Sequence, residues 1–377
     1  MIRKSFSKPT WLAFAFAVLA IFLFSPSASA QGTKNLPAAP PPWKAKPTPT
    51  PKPKPQEPEV LDVIRTTSNL VMVPVSVTDS MGQAIQGLQV NDFRLDEEGK
   101  QQEIAEIGDP EQVPLDIAIL FDISSSVSEK GFFAFQQHAA AAFLRQVMKP
   151  SDKAAVFTIA SQPNLVQPLA SAETAAKKIV SIPAATGPVP TAFYDTVSAA
   201  AKYLSDHSES RHRRVIVVIS DGDDNFSERV RELSVAEARA SMKGEVSPAA
   251  SLVSLQDRHR RAVAEVQQAV LKADVTFYSL NPGGRSVSLN QIAMRAQTGM
   301  RTVADATGGT AFLPDGEKDL EAVFRQVAAE LRGQYLLIYY ANADAPAGQF
   351  RKITVAVPNR PQVRVRARQG YYPKKQP

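Results

Sequence analysis

Two apolar runs in this sequence each end in an aspartate followed by small or hydroxylated residues. The run 117–121 leads into the motif D-I-S-S-S that starts at Asp122, and the run 215–219 leads into S-D-G around Asp221. A further hydroxyl-bearing residue, Thr191, lies between the two motifs. If both runs are parallel strands, their carboxyl ends meet at the edge of the sheet where open α/β sheets bind ligands. The spacing therefore predicts one shared site.

The predicted site combines carboxylate and hydroxyl oxygens: Asp122, Ser124, Ser126, Thr191 and Asp221. Such hard ligands suit a divalent cation, with Mg²⁺ first and Mn²⁺ or Ca²⁺ as alternatives, and do not suit zinc or copper. Each residue alone also has a structural explanation. Ser126 with Glu129 forms a capping-box pattern, Thr191 is a suitable helix N-cap, and Asp221 with Gly222 is a common turn. The coincidence of three motifs at strand ends favours metal binding.

The elements that must position these residues alternate along the chain between buried strands and amphipathic helices. This pattern predicts an α/β fold, a doubly wound and mostly parallel sheet with helices on both faces. The predicted strands are 116–121, 154–159, 215–219 and 275–280, and the predicted helices are 129–148, 172–182, 192–204, 262–273 and 319–331. The sequence contains neither G-x-G-x-x-G after a predicted strand nor G-x-x-x-x-G-K-[ST], the two glycine-rich motifs that bind nucleotides. The stretch 227–261 is longer than a strand-to-helix loop and predicts an insertion on the metal face.

Both flanks of this region have the period-two pattern of strands. We expect the segments 60–112 and 334–373 to pair into one small antiparallel β unit, with Pro74 on an edge strand. Near the end, Arg364, Arg366 and Arg368 alternate with apolar residues and share one strand face. A solvated face is the favoured explanation, and a patch for polyanions is the alternative.

The N-terminus has the composition of an export signal. Basic residues precede an apolar run at 11–24, and A-S-A at 28–30 fits a cleavage site, so residues 1–30 predict a signal peptide and a secreted or periplasmic protein. An uncleaved membrane anchor is the alternative. Ten of the 29 prolines fall in residues 31–59, which predicts a stiff Pro/Lys-rich linker that keeps the protein in proximity to a membrane or cell wall but holds its folded part well away from that surface. A disordered leader with no role is the alternative.

Composition excludes several classes of function. The chain has no cysteine, so it has no disulfide and no thiolate metal site, and its four histidines lack metal-ligand spacing. The formal net charge of +6 is concentrated in the termini, and residues 60–349 carry a net charge of −8. A region with that negative charge is a poor partner for nucleic acid.

The D-x-S-x-S motif, the downstream threonine and the strand-terminal D-G resemble the metal-ion-dependent adhesion site of von Willebrand factor type A (VWA) domains, in particular a bacterial secreted group. The resemblance covers 113–333 and implies a Rossmann-like fold. It implies that Ser124, Ser126 and Thr191 ligate the metal directly or nearly so, and that Asp122 and Asp221 act largely through water. The chain departs from the family pattern at two positions, with Ser125 where glycine is usual and with proline before the threonine.

The resemblance implies a function in protein binding. We expect an exported adhesion or recognition module, not an enzyme, whose metal accepts an acidic side chain from a partner protein. A structural cell-envelope scaffold with a vestigial metal site is the alternative. A hydrolase fits less well, because the sequence has no G-x-S-x-G motif and no histidine near the strand ends.

Overall fold

The structure is a computed structural model of the 377-residue chain. It describes residues 70–124, 133–187, 189–231, 239–240, 242–244, 248–284, 291–341 and 347–373. These ranges belong to one compact unit, Arg65–Pro377. The predicted signal peptide, the predicted linker and Ser126 lie outside the described residues. The domain boundaries expected from the sequence stay predictions.

Strands and helices alternate through the middle of the chain, and strands dominate both of its described ends. The strands are β1 (Leu70–Thr78), β2 (Arg94–Glu97), β3 (Lys100–Gln102), β4 (Ile104–Gly108), β5 (Leu115–Asp122), β6 (Lys153–Ile159), β7 (Asn164–Ala170), β8 (Arg213–Ile219), β9 (Val275–Leu280), β10 (Ala311–Phe312), β11 (Tyr335–Tyr340), β12 (Arg351–Ala356), β13 (Arg364–Ala367) and β14 (Gly370–Tyr371). The helices are α1 (Phe133–Val147), α2 (Ala172–Val180), α3 (Phe193–His207), α4 (Pro248–Lys272), α5 (Gln291–Thr307) and α6 (Glu317–Gly333).

The central sheet of the described region has the strand order β10-β9-β8-β5-β6-β7. All neighbouring strands in it are parallel except β6 and β7, which are antiparallel. The chain runs outward from β5 through β6 and β7, then returns to β8 on the other side of β5. The strand order therefore reverses between β5 and β8, and ligands of doubly wound sheets bind at such a switch point.

Helices cover both faces of this sheet, because alternate residues of each buried strand point to opposite sides. In β5, Ile119 and Phe121 pack in one apolar cluster with residues of α1, α2 and α6. Ala118 and Leu120 pack on the other side with residues of α3, α4 and α5. The fold class expected from the sequence, a doubly wound and mostly parallel α/β sheet, is confirmed.

Two helices differ from the sequence prediction. Helix α5 was not predicted, and α4 begins at Pro248 instead of residue 262. The segment 227–261 is therefore not an insertion throughout, because 248–261 is the first half of a core helix. Val230, near the start of the same segment, is 2% exposed and packs in the cluster with α4. Sequence periodicity missed α5 because its buried face consists largely of small residues around Gly299.

The flanking strands form two antiparallel sheets in the described region, ordered β13-β1-β11-β4 and β14-β12-β2-β3. Apolar side chains from both sheets share one core, which includes Val73, Leu95, Leu337 and Ile353. The edge position predicted for β1 is wrong, because β1 lies between β13 and β11. Pro74 is nevertheless tolerated there, since the pairing with β13 begins only at the following residue.

The solvated face predicted for the three C-terminal arginines is wrong for two of them. Arg364 is exposed, but Arg366 forms a 2.7 Å ion pair with the buried Glu330 of α6. Arg368 is 8% exposed and pairs with Asp274. Both arginines are covered because β13 packs against elements that are distant in sequence. Among the described helices, none is both long enough and apolar enough to cross a membrane.

Candidate metal centre

Asp122 is the last residue of β5 and is fully buried at the switch point of the central sheet. Its Oδ1 accepts the backbone N–H of Ser124 at 2.8 Å, and its Oδ2 accepts the hydroxyl of Ser220 at 2.5 Å. Ser220 directly follows β8, so this second bond ties the ends of the two central strands together. The hydroxyl of Ser220 also accepts the backbone N–H of Gly222 at 2.9 Å. The carboxylate of Asp122 is thus held in one orientation.

The electrostatic environment of Asp122 disfavours its charge. Burial raises the pKa of this carboxyl from 3.8 to about 6, and the nearby charge of Asp221 adds to the rise. Hydrogen bonds from Ser220 and Ser124 oppose it. No lysine, arginine or histidine of the described ranges lies within ion-pair distance of Asp122. A buried carboxylate in this situation favours either a proton or a cation.

Thr191 lies at the same edge of the central sheet as Asp122, next to the end of β6. Two consecutive carbonyls there accept backbone N–H groups, that of Ile159 from Ile123 at 3.3 Å and that of Ala160 from Ala192 at 2.8 Å. These bonds therefore hold the residue after Asp122 and the residue after Thr191 both at the carboxyl end of β6. The structure therefore places three of the predicted ligands, Asp122, Ser124 and Thr191, at one edge of the sheet.

Thr191 does not act as a helix cap. Helix α3 begins at Phe193, its N-cap position is Ala192, and no side chain of that N-cap residue bonds the helix. The backbone of Thr191 is instead bonded to Asn225, whose Oδ1 accepts the N–H of Thr191 at 2.9 Å and whose N–H donates to its carbonyl at 3.1 Å. The structural alternative considered for Thr191 is thereby removed, and its side chain has no capping role to explain its position.

Asp221 is the second residue after β8, and Gly222 follows it in a left-handed backbone conformation. Gly222 has a φ of +75°, which L side chains rarely adopt, and a Cβ there would lie 2.6 Å from the Cε of Met300. The Nδ2 of Asn281, just after β9, donates to the backbone carbonyl of Asp221 at 3.3 Å. The left-handed backbone at Gly222 and the bond from Asn281 fix the chain on both sides of Asp221, whose charge acts on Asp122.

Asp224 is a structural residue of the site that sequence analysis missed. Its Oδ2 accepts the N–H of Tyr194 at 2.7 Å in the first turn of α3, so it caps that helix from a different loop. Its carboxylate also accepts the N–H and the hydroxyl of Ser227, at 3.0 and 2.5 Å. The only local signal was the D-x-x-S spacing, which is typical of turns and caps in general. The N–H group that Asp224 caps, that of Tyr194, is 30 residues away.

The donor set fits a hard divalent cation. Asp221 adds negative charge beside Asp122, and burial followed by the charge of Asp221 raises the pKa of Asp223. Arg295 is the nearest compensating cation in the described ranges, at 3.9 Å from Asp223. No three acidic or histidine side chains there converge as a ready metal cluster. A metal at this place therefore needs hydroxyl ligands as well, such as Ser124 and Thr191.

Residues 117–223 match the family model for the von Willebrand factor type A domain. The matched range begins in β5 and ends just after Gly222, so it spans Asp122, Thr191 and Asp221. The comparison with curated proteins found no match.

Solved structures with similar folds include three from different sources. A von Willebrand factor type A protein from Catenulispora acidiphila is 15% identical, with a TM-score of 0.44, 82% of this chain covered and 64% of that one. The protein BatB from Bacteroides thetaiotaomicron is 12% identical, with a TM-score of 0.37 and coverages of 57% and 98%. Proximal thread matrix protein 1 from the mussel byssus, described with a zinc-occupied adhesion motif, is 14% identical, with a TM-score of 0.37 and coverages of 58% and 48%.

This chain spans about half the length of the mussel matrix protein. The likenesses to solved structures are distant, so the assignment of residues 117–223 rests on the family model. Domains of this family often mediate protein–protein interaction. The chain therefore carries a von Willebrand factor type A domain, matched over residues 117–223.

Proposed function

We propose that this chain is an exported recognition protein whose VWA domain binds an acidic side chain of a partner protein through a divalent cation. The observation that carries the proposal is the fully buried carboxylate of Asp122 with Asp221 beside it at the switch point. The described residues supply no ion-pair partner to Asp122. A bound divalent cation would remove this electrostatic cost and leave a coordination position for a carboxylate from outside.

Each residue of the proposed site has a distinct task. Ser124, Ser126 and Thr191 would hold the cation, and Asp122 and Asp221 would act largely through water. Around them, other side chains hold these groups in place: Ser220 orients Asp122, Asn225 holds the backbone of Thr191, and Asp224 fixes the loop after β8. Such preorganisation lowers the entropy lost when a ligand binds. Oxygen ligands of this kind favour Mg²⁺, with Mn²⁺ and Ca²⁺ as alternatives.

A binding role is better supported than hydrolysis. Of the described histidines, His212 contacts Asp116 at the start of β5, the edge of the sheet opposite Asp122. The buried His259 bonds the hydroxyl of Tyr194 at 3.1 Å. Neither is placed to activate Ser124 as a nucleophile, which would need a base within hydrogen-bond reach.

The proposal is tested first with the metal alone. Isothermal titration of the purified protein with Mg²⁺ and Mn²⁺ should show one site, and Asp122→Ala and Thr191→Ala should each abolish the heat. Asp152→Asn is a matched control, because Asp152 is a buried aspartate that accepts backbone N–H groups at the opposite edge of the sheet. Absence of binding at millimolar metal contradicts the proposal and leaves the envelope scaffold as the better explanation.

Partner binding is the second test. The wild-type protein and the same three variants serve as bait for an extract of the cell surface, with Mg²⁺ or with EDTA. We expect a protein that is captured only with metal and only by the wild type and Asp152→Asn. Capture that persists unchanged in EDTA contradicts the role of the metal as the bridge to the partner.

Export is proposed from the N-terminal sequence. Cleavage after the A-S-A motif would leave a mature chain that begins at Gln31, followed by a linker whose 29 residues in polyproline II conformation reach up to about 90 Å. Such a spacer would hold the domain away from a membrane or wall. Intact mass of the protein from the envelope fraction decides between this and an N-terminal anchor, since an anchored chain would still begin at Met1.

A further inference from the structure

A second polar cavity lies at the edge of the central sheet opposite the candidate metal centre. It has a volume of about 130 Å³ and is walled by the first residues of β8 and β9, by β1 and by Arg368 after β13. Parallel strands start at this edge and end at the edge that carries Asp122. The cavity is therefore separate from the metal centre and belongs to the boundary between the central sheet and the flanking antiparallel sheet.

Three of the side chains that line the cavity are nearly buried arginines. Arg213, Arg214 and Arg368 are 8%, 4% and 8% exposed. In each of them the Nε–H group finds no hydrogen-bond partner among the described residues. Arg211, which is exposed, lines the same cavity. These Nε atoms are enclosed by protein and do not open onto the cavity. What the cavity gathers is the positive charge of four lining arginines against one lining carboxylate, that of Asp274.

Two of these arginines also lack an ion pair among the described residues. Arg368 pairs with Asp274, but no carboxylate of the described ranges lies within ion-pair distance of Arg213 or Arg214. Their terminal nitrogens donate to neutral carbonyls instead, those of Leu331 and Ala273 among them. Burial lowers the pKa of Arg213, although the charge of Asp152 opposes this. A buried guanidinium normally needs a negative partner.

We infer that this cavity is a binding site for a small oxyanion, with the guanidinium groups of Arg213, Arg214 and Arg368 as its donors. Guanidinium groups match the geometry of phosphate, sulfate and carboxylate oxygens. A volume of about 130 Å³ is well below the roughly 300 Å³ at which pockets for larger organic ligands begin. The site thus admits one inorganic anion or a small carboxylic acid. Its occupation would join the central sheet to β1 and β13.

Thermal unfolding tests the inference. The protein in EDTA is unfolded in 0.1–10 mM sodium phosphate, with sodium chloride at matched ionic strength as the reference. The melting temperature should rise with the logarithm of phosphate concentration. Arg211→Gln should weaken this response while leaving the fold intact, since its side chain is exposed. Arg364→Gln, which removes an equivalent charge from an exposed position of β13 outside the cavity, should leave the response unchanged.

A response of equal size in chloride overturns the inference. So does a response that appears only above about 100 mM phosphate, because phosphate and sulfate at such concentrations stabilise proteins in general by exclusion from their surface. A phosphate response that Arg211→Gln and Arg364→Gln reduce equally would reflect overall charge, and it too overturns the inference.

Calorimetry of the unmodified protein identifies the anion without relying on variants. Phosphate, sulfate and acetate are titrated separately in EDTA, so that binding to tetrahedral anions and binding to carboxylates are distinguished. Arg214→Gln should abolish the heat if that variant folds, although it also loses bonds to the carbonyls of Glu209 and Ala273. The absence of heat with all three anions at 10 mM overturns the inference whatever the variants do.

Discussion

Asp122→Asn is the substitution that most directly separates an electrostatic role of this residue from a structural one. Asparagine has nearly the same shape, keeps an oxygen for the N–H of Ser124, and removes the charge. In the folded protein without metal, we expect Asp122→Asn to be more stable than the wild type at pH 7.5. In saturating Mg²⁺ we expect this difference in stability to shrink or change sign, because only the wild type binds the cation.

The magnitude follows from the pKa of Asp122. Its rise from 3.8 to about 6 corresponds to about 3 kcal/mol at neutral pH, from roughly 1.4 kcal/mol for each pKa unit. Because the pKa is raised in the folded state, the folded protein holds this proton more tightly. The neutral form therefore favours folding at low pH, and that advantage is lost as the pH rises toward 6. Asparagine disturbs the bond with Ser220, at a cost of about 1 kcal/mol, so the net gain is about 2 kcal/mol.

Urea unfolding in EDTA at pH 7.5 and pH 5, repeated with 5 mM Mg²⁺, measures these differences. The advantage of Asp122→Asn over the wild type should shrink at pH 5, where the folded wild type is largely protonated. Magnesium at about a hundredfold above its Kd should stabilise the wild type by about 2.7 kcal/mol and the variant by nothing. Asp152→Asn serves as the control, with lower stability and an undiminished response to metal.

An Asp122→Asn variant that is less stable than the wild type by about 1 kcal/mol or more in EDTA at pH 7.5 would contradict the electrostatic role of Asp122. In that case the bonds of Asp122 to Ser124 and Ser220 would outweigh its charge, and the residue would be chiefly structural. An equal response of wild type and variant to Mg²⁺ would place the metal elsewhere.

Three further predictions concern residues around the site. Thr191→Ala should keep the stability of the protein in EDTA within about 0.5 kcal/mol and lose the stabilisation by Mg²⁺ in the same assay. Asp224→Ala should lower the free energy of unfolding by about 2 kcal/mol, because the N–H of Tyr194 and the groups of Ser227 lose their acceptor; an unchanged urea midpoint would refute the cap. Burial, followed by the charges of two arginines, lowers the pKa of His259 from 6.5 to about 4. As the pH drops, the unfolded chain therefore binds this proton before the folded protein does. The free energy of unfolding should fall between pH 6.5 and pH 4 by on the order of 2 kcal/mol. His259→Gln should flatten that fall, and a profile identical to the wild type would show that another group causes it.

Sequence alone was sufficient for the fold class, because the relevant signals are local. An uninterrupted apolar run such as 117–121 is typical of a strand that is buried on both faces, and such strands predict a sheet covered by helices on both sides. The strand predicted at 275–280 has the observed bounds, and the other three predicted strands extend by one or two residues. The two outer strands β7 and β10 were not predicted. Helix α5 could not be predicted, because small residues make up much of its buried face.

The candidate site also contains residues that the sequence indicates and residues whose roles only the tertiary structure reveals. The types and positions of Asp122, Thr191 and Asp221 are local facts, and the rule that ligands bind at the carboxyl ends of parallel strands brings them to one edge. Whether these residues act as metal ligands stays a prediction. The roles of Ser220 and Asp224 depend on partners 98 and 30 residues away, so no pattern in their own neighbourhood indicates them.

Tertiary structure alone decided which of the charged residues on β13 are exposed and which are buried. The alternation of Arg364, Arg366 and Arg368 with apolar residues is the same whether that face meets water or protein. Only the packing of β13 against α6 and the start of β9 buries the second and third arginines and pairs them with Glu330 and Asp274. Sequence determined which side chains share a face, since strand geometry fixes that locally. What covers the face is decided by contacts between distant segments.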